Sequence, residues 1–136
     1  IAGVNIGVWT TPTFAAGDYT GSGSMTWTVA SGDVTAYQYM LIGKTMFVNF
    51  AIDTSTVGGT LDTYLQIAIP ASKVAAKPAT GVLNYTDAGG TPAIGRCFVN
   101  QSAWAGKIAL ATLTSANWSA ATNTTIVTGQ IFFETT

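Results

Sequence analysis

Chemistry in a protein needs titratable, nucleophilic or metal-ligating side chains close together, and this chain of 136 residues holds few of them. It has no histidine. Ser-His-Asp and Cys-His arrangements are therefore excluded, as are histidine-ligated zinc and haem. The acids are Asp18, Asp33, Asp53, Asp62, Asp87 and Glu134. A glycosidase needs two carboxylates facing one bond, about 5–9.5 Å apart. Five of the six acids stand in turn-like contexts, such as Gly17-Asp18, Ser31-Gly32-Asp33 and Thr86-Asp87. There an Asp caps nearby backbone N–H groups, so we expect turn chemistry from them and no enzyme. Asp53 and Asp62 flank a Gly-rich loop, but the ligand spacing of a calcium loop is missing. No metal or other cofactor is expected. The single cysteine, Cys97, lies in the apolar run 94–99 and reads as a buried core thiol. Gly21-Ser22-Gly23-Ser24 resembles a flexible linker, while Gly58-Gly59 and Gly89-Gly90 resemble pieces of nucleotide loops. None has the Gly-Lys-Thr or the strand-to-helix context that phosphate binding requires, so all read as loops.

The aromatic residues carry more information. Trp27, Tyr37 and Tyr39 fall in strand-like runs and fit core or inter-subunit packing. Trp104, in Gln101-Ser102-Ala103-Trp104-Ala105-Gly106, and Trp118, in Ala116-Asn117-Trp118-Ser119, fall in polar loops. A loop tryptophan beside amides can hold a sugar, by stacking on the ring face and by side-chain hydrogen bonds. Trp104, Trp118, Asn117 and Gln101 are therefore the candidate ligand-binding residues. The competing expectation is that each indole folds back to cap the end of the core. Asn84, Asn100, Asn117 and Asn123 begin Asn-x-Ser/Thr sequons, which a chain with 23 Thr and 8 Ser also produces by chance.

The elements that must position these residues follow a period of two. Met25, Trp27 and Val29 alternate with Thr26 and Thr28, as in a half-buried strand. Further strands are expected at 34–42, 44–52, 65–69, 81–85, 93–99, 107–113 and 125–134, with an early one at 4–10 before Pro12. Both faces of 44–52 are largely apolar, which places that strand centrally and covered on both sides. Gly43 suits a tight hairpin between 34–42 and 44–52. Asp53-Thr54-Ser55-Thr56-Val57-Gly58-Gly59-Thr60 reads as a turn and loop. Pro70 ends the strand before it, and 71–79 fits a short helix or an exposed loop equally well. No segment has the stripe of an amphipathic helix. Eight or nine strands with regular turn signals indicate a single all-β domain over 1–136, an antiparallel sandwich or barrel.

Composition narrows the partners. Only 8% of the residues are charged against 48% hydrophobic, and the net charge is −1. Five basic residues cannot build the clustered phosphate contacts of a nucleic-acid binder. No apolar run of 18 or more residues could span a membrane as a helix. The start at Ile1 rather than Met leads us to expect a fragment, the C-terminal part of a longer chain.

The stretches Ser22-Gly23-Ser24-Met25-Thr26-Trp27-Thr28-Val29 and Tyr37-Gln38-Tyr39-Met40-Leu41-Ile42-Gly43-Lys44-Thr45-Met46 carry a resemblance, as do Leu65-Gln66-Ile67-Ala68-Ile69-Pro70 and Val127-Thr128-Gly129-Gln130-Ile131-Phe132-Phe133-Glu134. Over residues 20–134 the chain resembles the C-terminal domains of tailed-phage tail-fibre and other virion-surface fibre proteins. The resemblance implies a compact β-sandwich, often jelly-roll-like, that forms a homotrimer on the virion surface, outside the cell. It also implies contact with other virion proteins and with a host bacterial surface molecule, for which a glycan is the leading expectation. A trimer would bury apolar strand faces that so few charges leave hard to solvate. Two alternatives stay open: a structural head-fibre or capsid-decoration domain, and a carbohydrate-binding module of a secreted protein.

Overall fold

A computed structural model describes residues 7–100 and 104–136. It is all-β and antiparallel, as the alternation indicates. Nine strands occur among the described residues: β1 Tyr19–Gly21, β2 Met25–Thr28, β3 Val34–Ile42, β4 Thr45–Gly59, β5 Leu65–Ala68, β6 Ala79–Thr86, β7 Ala93–Val99, β8 Lys107–Thr112 and β9 Ala121–Glu134. They hydrogen-bond in the order β1-β5-β8-β7-β6-β9-β4-β2, with β3 also paired to β4. The path curls into a nearly closed sandwich of barrel-like continuity. Its two end strands, β1 and β2, are neighbours in sequence, joined by a turn in which the Met25 N–H donates to the Ser22 carbonyl. The linker-like Gly-Ser-Gly-Ser run therefore closes the sheet. Ser22 fastens it, donating from Oγ to Asp62 at 2.9 Å and accepting the Tyr64 N–H at 3.1 Å.

Strands β3 and β7 form over the expected spans. The β3–β4 turn leaves only Gly43 and Lys44 unpaired, and Gly43 takes the left-handed φ of 60° that such a turn requires. The run 53–60 is different from its expected loop. Strand β4 continues through it to Gly59, pairing first with β3 over Thr45–Ile52 and then with β2 over Thr56–Gly59. The turn-forming residues survive as a bulge: Thr54 has φ 49°, and the β4–β9 register shifts on either side of Ser55. Ser55 is wholly buried there, accepting the Trp27 indole N–H at 2.8 Å and donating to the Thr125 carbonyl at 2.7 Å. A buried hydroxyl with both partners supplied holds the bend in place. In 71–79 the structure has the 3-10 turn Pro70–Ser72, an isolated bridge from Ala75 to Thr135 and, at Ala79, the first residue of β6. Of the expected strand at 4–10, residues 4–6 lie outside the described residues, and Thr10 makes a single bridge to Tyr39.

The core lies between the two curled halves. Met46, Val48, Phe50 and Ile52 of β4 face it with Leu65, Ile67, Leu83, Ile108, Leu110 and Val127. Tyr19, Trp27 and Tyr37 add an aromatic cluster with edge-on contacts at 5.5 and 6.1 Å. Burial, with the Asp18 carboxylate next, pushes the Tyr19 phenol up to about 12. The strands covered on both faces are β8 and β5, where Gln66 is buried on the face opposite Leu65 and Ile67, not β4. Ala109 and Ala111 point away from Leu110 yet are fully buried. The opposite face of β4, carrying Phe47 and Asn49, is only half-buried.

Candidate functional site

The four residues singled out in loops do not form one site. Trp118 is 1% exposed and belongs to the core. Its indole N–H donates to the Leu110 carbonyl at 3.3 Å, and its ring meets Tyr85 edge-on at 5.2 Å. Its neighbours Asn117 and Ser119 are exposed, so the polar loop passes over the surface while the indole turns inward to plug the sandwich. Asn117 is occupied in holding loops together: Oδ1 accepts from the Thr63 hydroxyl at 3.2 Å, and Nδ2 donates to the Leu61 carbonyl at 3.4 Å. Trp104 is partly exposed and packs edge-on against Tyr64 at 4.8 Å, which in turn meets Phe98 at 5.6 Å. Gln101 lies outside the described residues.

Four of the acids, Asp33, Asp53, Asp62 and Asp87, accept hydrogen bonds in turns or loops as their contexts indicate, while Glu134 ends β9 and pairs with Lys77 at 3.0 Å. Asp33 accepts the Ala30 N–H and the Thr54 hydroxyl, Asp53 accepts the Thr54 N–H, and Asp87 accepts the Ser119 N–H and hydroxyl. Asp62 accepts from the Thr63 N–H and the Ser22 hydroxyl, which hold its carboxyl below the usual range. Among the described residues no group of three or more acids and cysteines could hold a metal ion. Cys97 is fully buried, and burial pushes its thiol up to about 11.

A concave surface lies elsewhere, on the outer face of β4, β9 and β6. A groove of about 560 Å³ runs there, walled on one side by Trp9. Strand alternation builds it. The residues of β9 between the inward-facing Val127, Gly129, Ile131 and Phe133 are Thr128, Gln130 and Phe132, and these point outward. Register then sets Phe132 opposite Phe47 of β4, Gln130 opposite Asn49, and Thr128 beside Asn84 of β6. The two phenyl rings stack at 5.7 Å with planes 30° apart. Phe132 is 66% exposed and Val82 62%, so this face carries apolar area that a lone chain leaves in water.

Polar capacity is open in the same place. The side chains of Asn49, Asn84, Gln130, Thr80 and Thr128 line the groove and make no hydrogen bond to another described residue. Among the described residues no Asp, Glu, Lys or Arg lines it. The groove thus offers aromatic faces and unoccupied donors and acceptors without charge. Attention to tryptophans in loops misses it, because its residues stand on strands. The signal was the polar and aromatic choice at alternate positions of 128–132. Comparison of the chain with protein-family models, with curated proteins and with solved structures gives no match.

Proposed function

We propose that this chain is a non-catalytic attachment domain that holds an uncharged glycan in the groove on β4, β9 and β6, as part of a virion-surface fibre. One observation carries the reading: the exposed Phe132 ring, stacked on the half-buried Phe47, lies beside five unoccupied amide and hydroxyl side chains, with no charged residue among them. Sugars present apolar C–H faces together with hydroxyls that need directional partners, and this surface answers both needs. The virion-surface placement and the trimer rest on the resemblance over residues 20–134. The host molecule is then a bacterial surface glycan.

A second reading is favoured by Val82 and by Ile94, which is 51% exposed. Val82 lines the groove and Ile94, on the neighbouring strand β7, carries the apolar area past it, as a face that packs against further copies of the chain would. Light scattering on a sizing column, together with a binding panel of immobilised neutral and anionic glycans, separates the two for wild type and Phe132→Ala. On the glycan reading, wild type runs at three chain masses and binds, while Phe132→Ala keeps the mass and loses binding. A Phe132→Ala protein that drops to the 14.0 kDa single chain points to the assembly reading instead. A wild type that binds no glycan on the panel removes the attachment proposal.

A further inference from the structure

We infer that the groove takes an extended chain of neutral sugars laid along β9, with Trp9 as the side chain that decides which sugars enter; this rests on the glycan reading above. The outward residues Phe132, Gln130 and Thr128 follow one another every second position of one strand. At about 3.4 Å per residue, that row is about 14 Å long, more than a single ring stacked on Phe132 would use. Its character changes along its length. The end at Phe132 is aromatic on both strands, with Phe47 as register partner. The far end is polar, where Thr128 meets Asn84 of β6. A monosaccharide engages one end or the other, whereas a chain engages both.

Trp9 supplies the third wall. It is 48% exposed, lines the groove, and stands beside Thr10, whose N–H and carbonyl exchange hydrogen bonds with Tyr39 at 2.8 and 2.9 Å. That bridge ties the segment to the outer edge of β3 and holds the indole at the groove. The ring can cover a sugar seated on Phe47 and Phe132, so that the sugar is stacked from two directions. With no charged lining residue, an anionic polymer finds no cation to pair with and a neutral one leaves no charge unpaired. Binding is accordingly insensitive to salt.

The test uses the intact chain on the same panel, with neutral glycans of one to four rings beside uronate-containing and sulfated ones. Wild type, Trp9→Ala and Gln130→Ala are compared in low and high salt. The inference expects neutral binders whose affinity rises about tenfold or more from one ring to three. It expects Trp9→Ala to lose about tenfold, the scale of one good aromatic contact. It also expects Gln130→Ala to flatten the dependence on length, and quenching of Trp9 fluorescence to track occupancy. Both side chains are exposed, and thermal melts monitored by circular dichroism confirm that the variants fold. Equal binding of one-ring and three-ring glycans, or unchanged binding in Trp9→Ala, overturns this inference and leaves the glycan reading standing. Preference for anionic glycans overturns the neutral class. Absence of binding to every glycan overturns both.

Discussion

Replacing Trp118 by Ala separates a core role from a ligand role. The indole is 1% exposed, so truncation leaves a cavity that its neighbours fill only in part. Large aromatic truncations in cores cost about 3–5 kcal/mol, and about 1 kcal/mol of that belongs here to the lost hydrogen bond to Leu110. We take about 4 kcal/mol. The entropy of unfolding is about 2.1 cal/mol/K per residue, which for 136 residues is about 0.29 kcal/mol/K. Dividing one by the other gives a fall in Tm of about 14 °C. Trp104 supplies the control. It is partly exposed and its ring contact is edge-on to Tyr64, so Trp104→Ala should cost about 1 kcal/mol, or roughly 3–4 °C. Calorimetric or circular-dichroism melts at one pH and concentration measure both. A Trp118→Ala protein that melts within about 5 °C of wild type, or above Trp104→Ala, would refute the placement of this indole in the core.

Three further predictions concern other parts of the fold. A Cβ at Gly129 would stand 2.7 Å from Phe50 Cζ, so Gly129→Ala should destabilise by about 1–3 kcal/mol in urea unfolding, and adding Phe50→Leu should recover part of it. Asp62 is held below its ordinary pKa by the Thr63 N–H and the Ser22 hydroxyl. A carboxyl depressed in the folded state contributes stability that is present above its unfolded pKa, near pH 4, and is lost as pH falls through the folded value. Urea midpoints between pH 2 and 6 should therefore fall less steeply with acid in Asp62→Asn than in wild type, and parallel curves would contradict the contacts at the β1–β2 closure. The Cys97 thiol is buried and pushed up to about 11, so a disulfide reagent at pH 8 should label it only in denaturant. Rapid labelling of folded protein would place that strand differently.

Local patterning made most of the strands legible. Residues 34–42 and 93–99 form β3 and β7 over their expected spans because alternation and flanking Gly, Asp and Pro agree there. The extension of β4 through Asp53-Thr54-Ser55 was hidden because these residues favour a turn by local chemistry. Pairing with β2 and β9, secured by the buried Ser55 hydroxyl, outweighs that preference and reduces the turn to a bulge. Trp118 was left between a sugar-stacking and a core-capping expectation for a related reason: one residue in a polar loop can reverse its direction without leaving any periodic trace, and the structure takes the capping one. Closure by β1 depends on three residues and a side-chain contact forty positions away, between Ser22 and Asp62. The groove was the least legible feature. Phe47, Asn84 and Phe132 are distant in sequence, and only the register of three antiparallel strands sets them on one face. The loop tryptophans beside amides, on which the sugar expectation rested, were visible in the sequence; the groove was not.

Whether the proposed glycan sits on the outer face of β4, β9 and β6 can be read from the side-chain amides of that face. Side-chain amide protons of Asn and Gln are resolved individually by NMR, and four of them report on the competing locations. The strongest neutral binder from the glycan panel would be titrated into isotopically labelled chain, following Asn49, Asn84 and Gln130 in the groove and Asn117 beside Thr63. With the glycan in the groove, the three groove amides shift and saturate together while Asn117 stays still. Shifts confined to Asn117 and the Trp104 indole, with the groove amides unmoved, would contradict that placement.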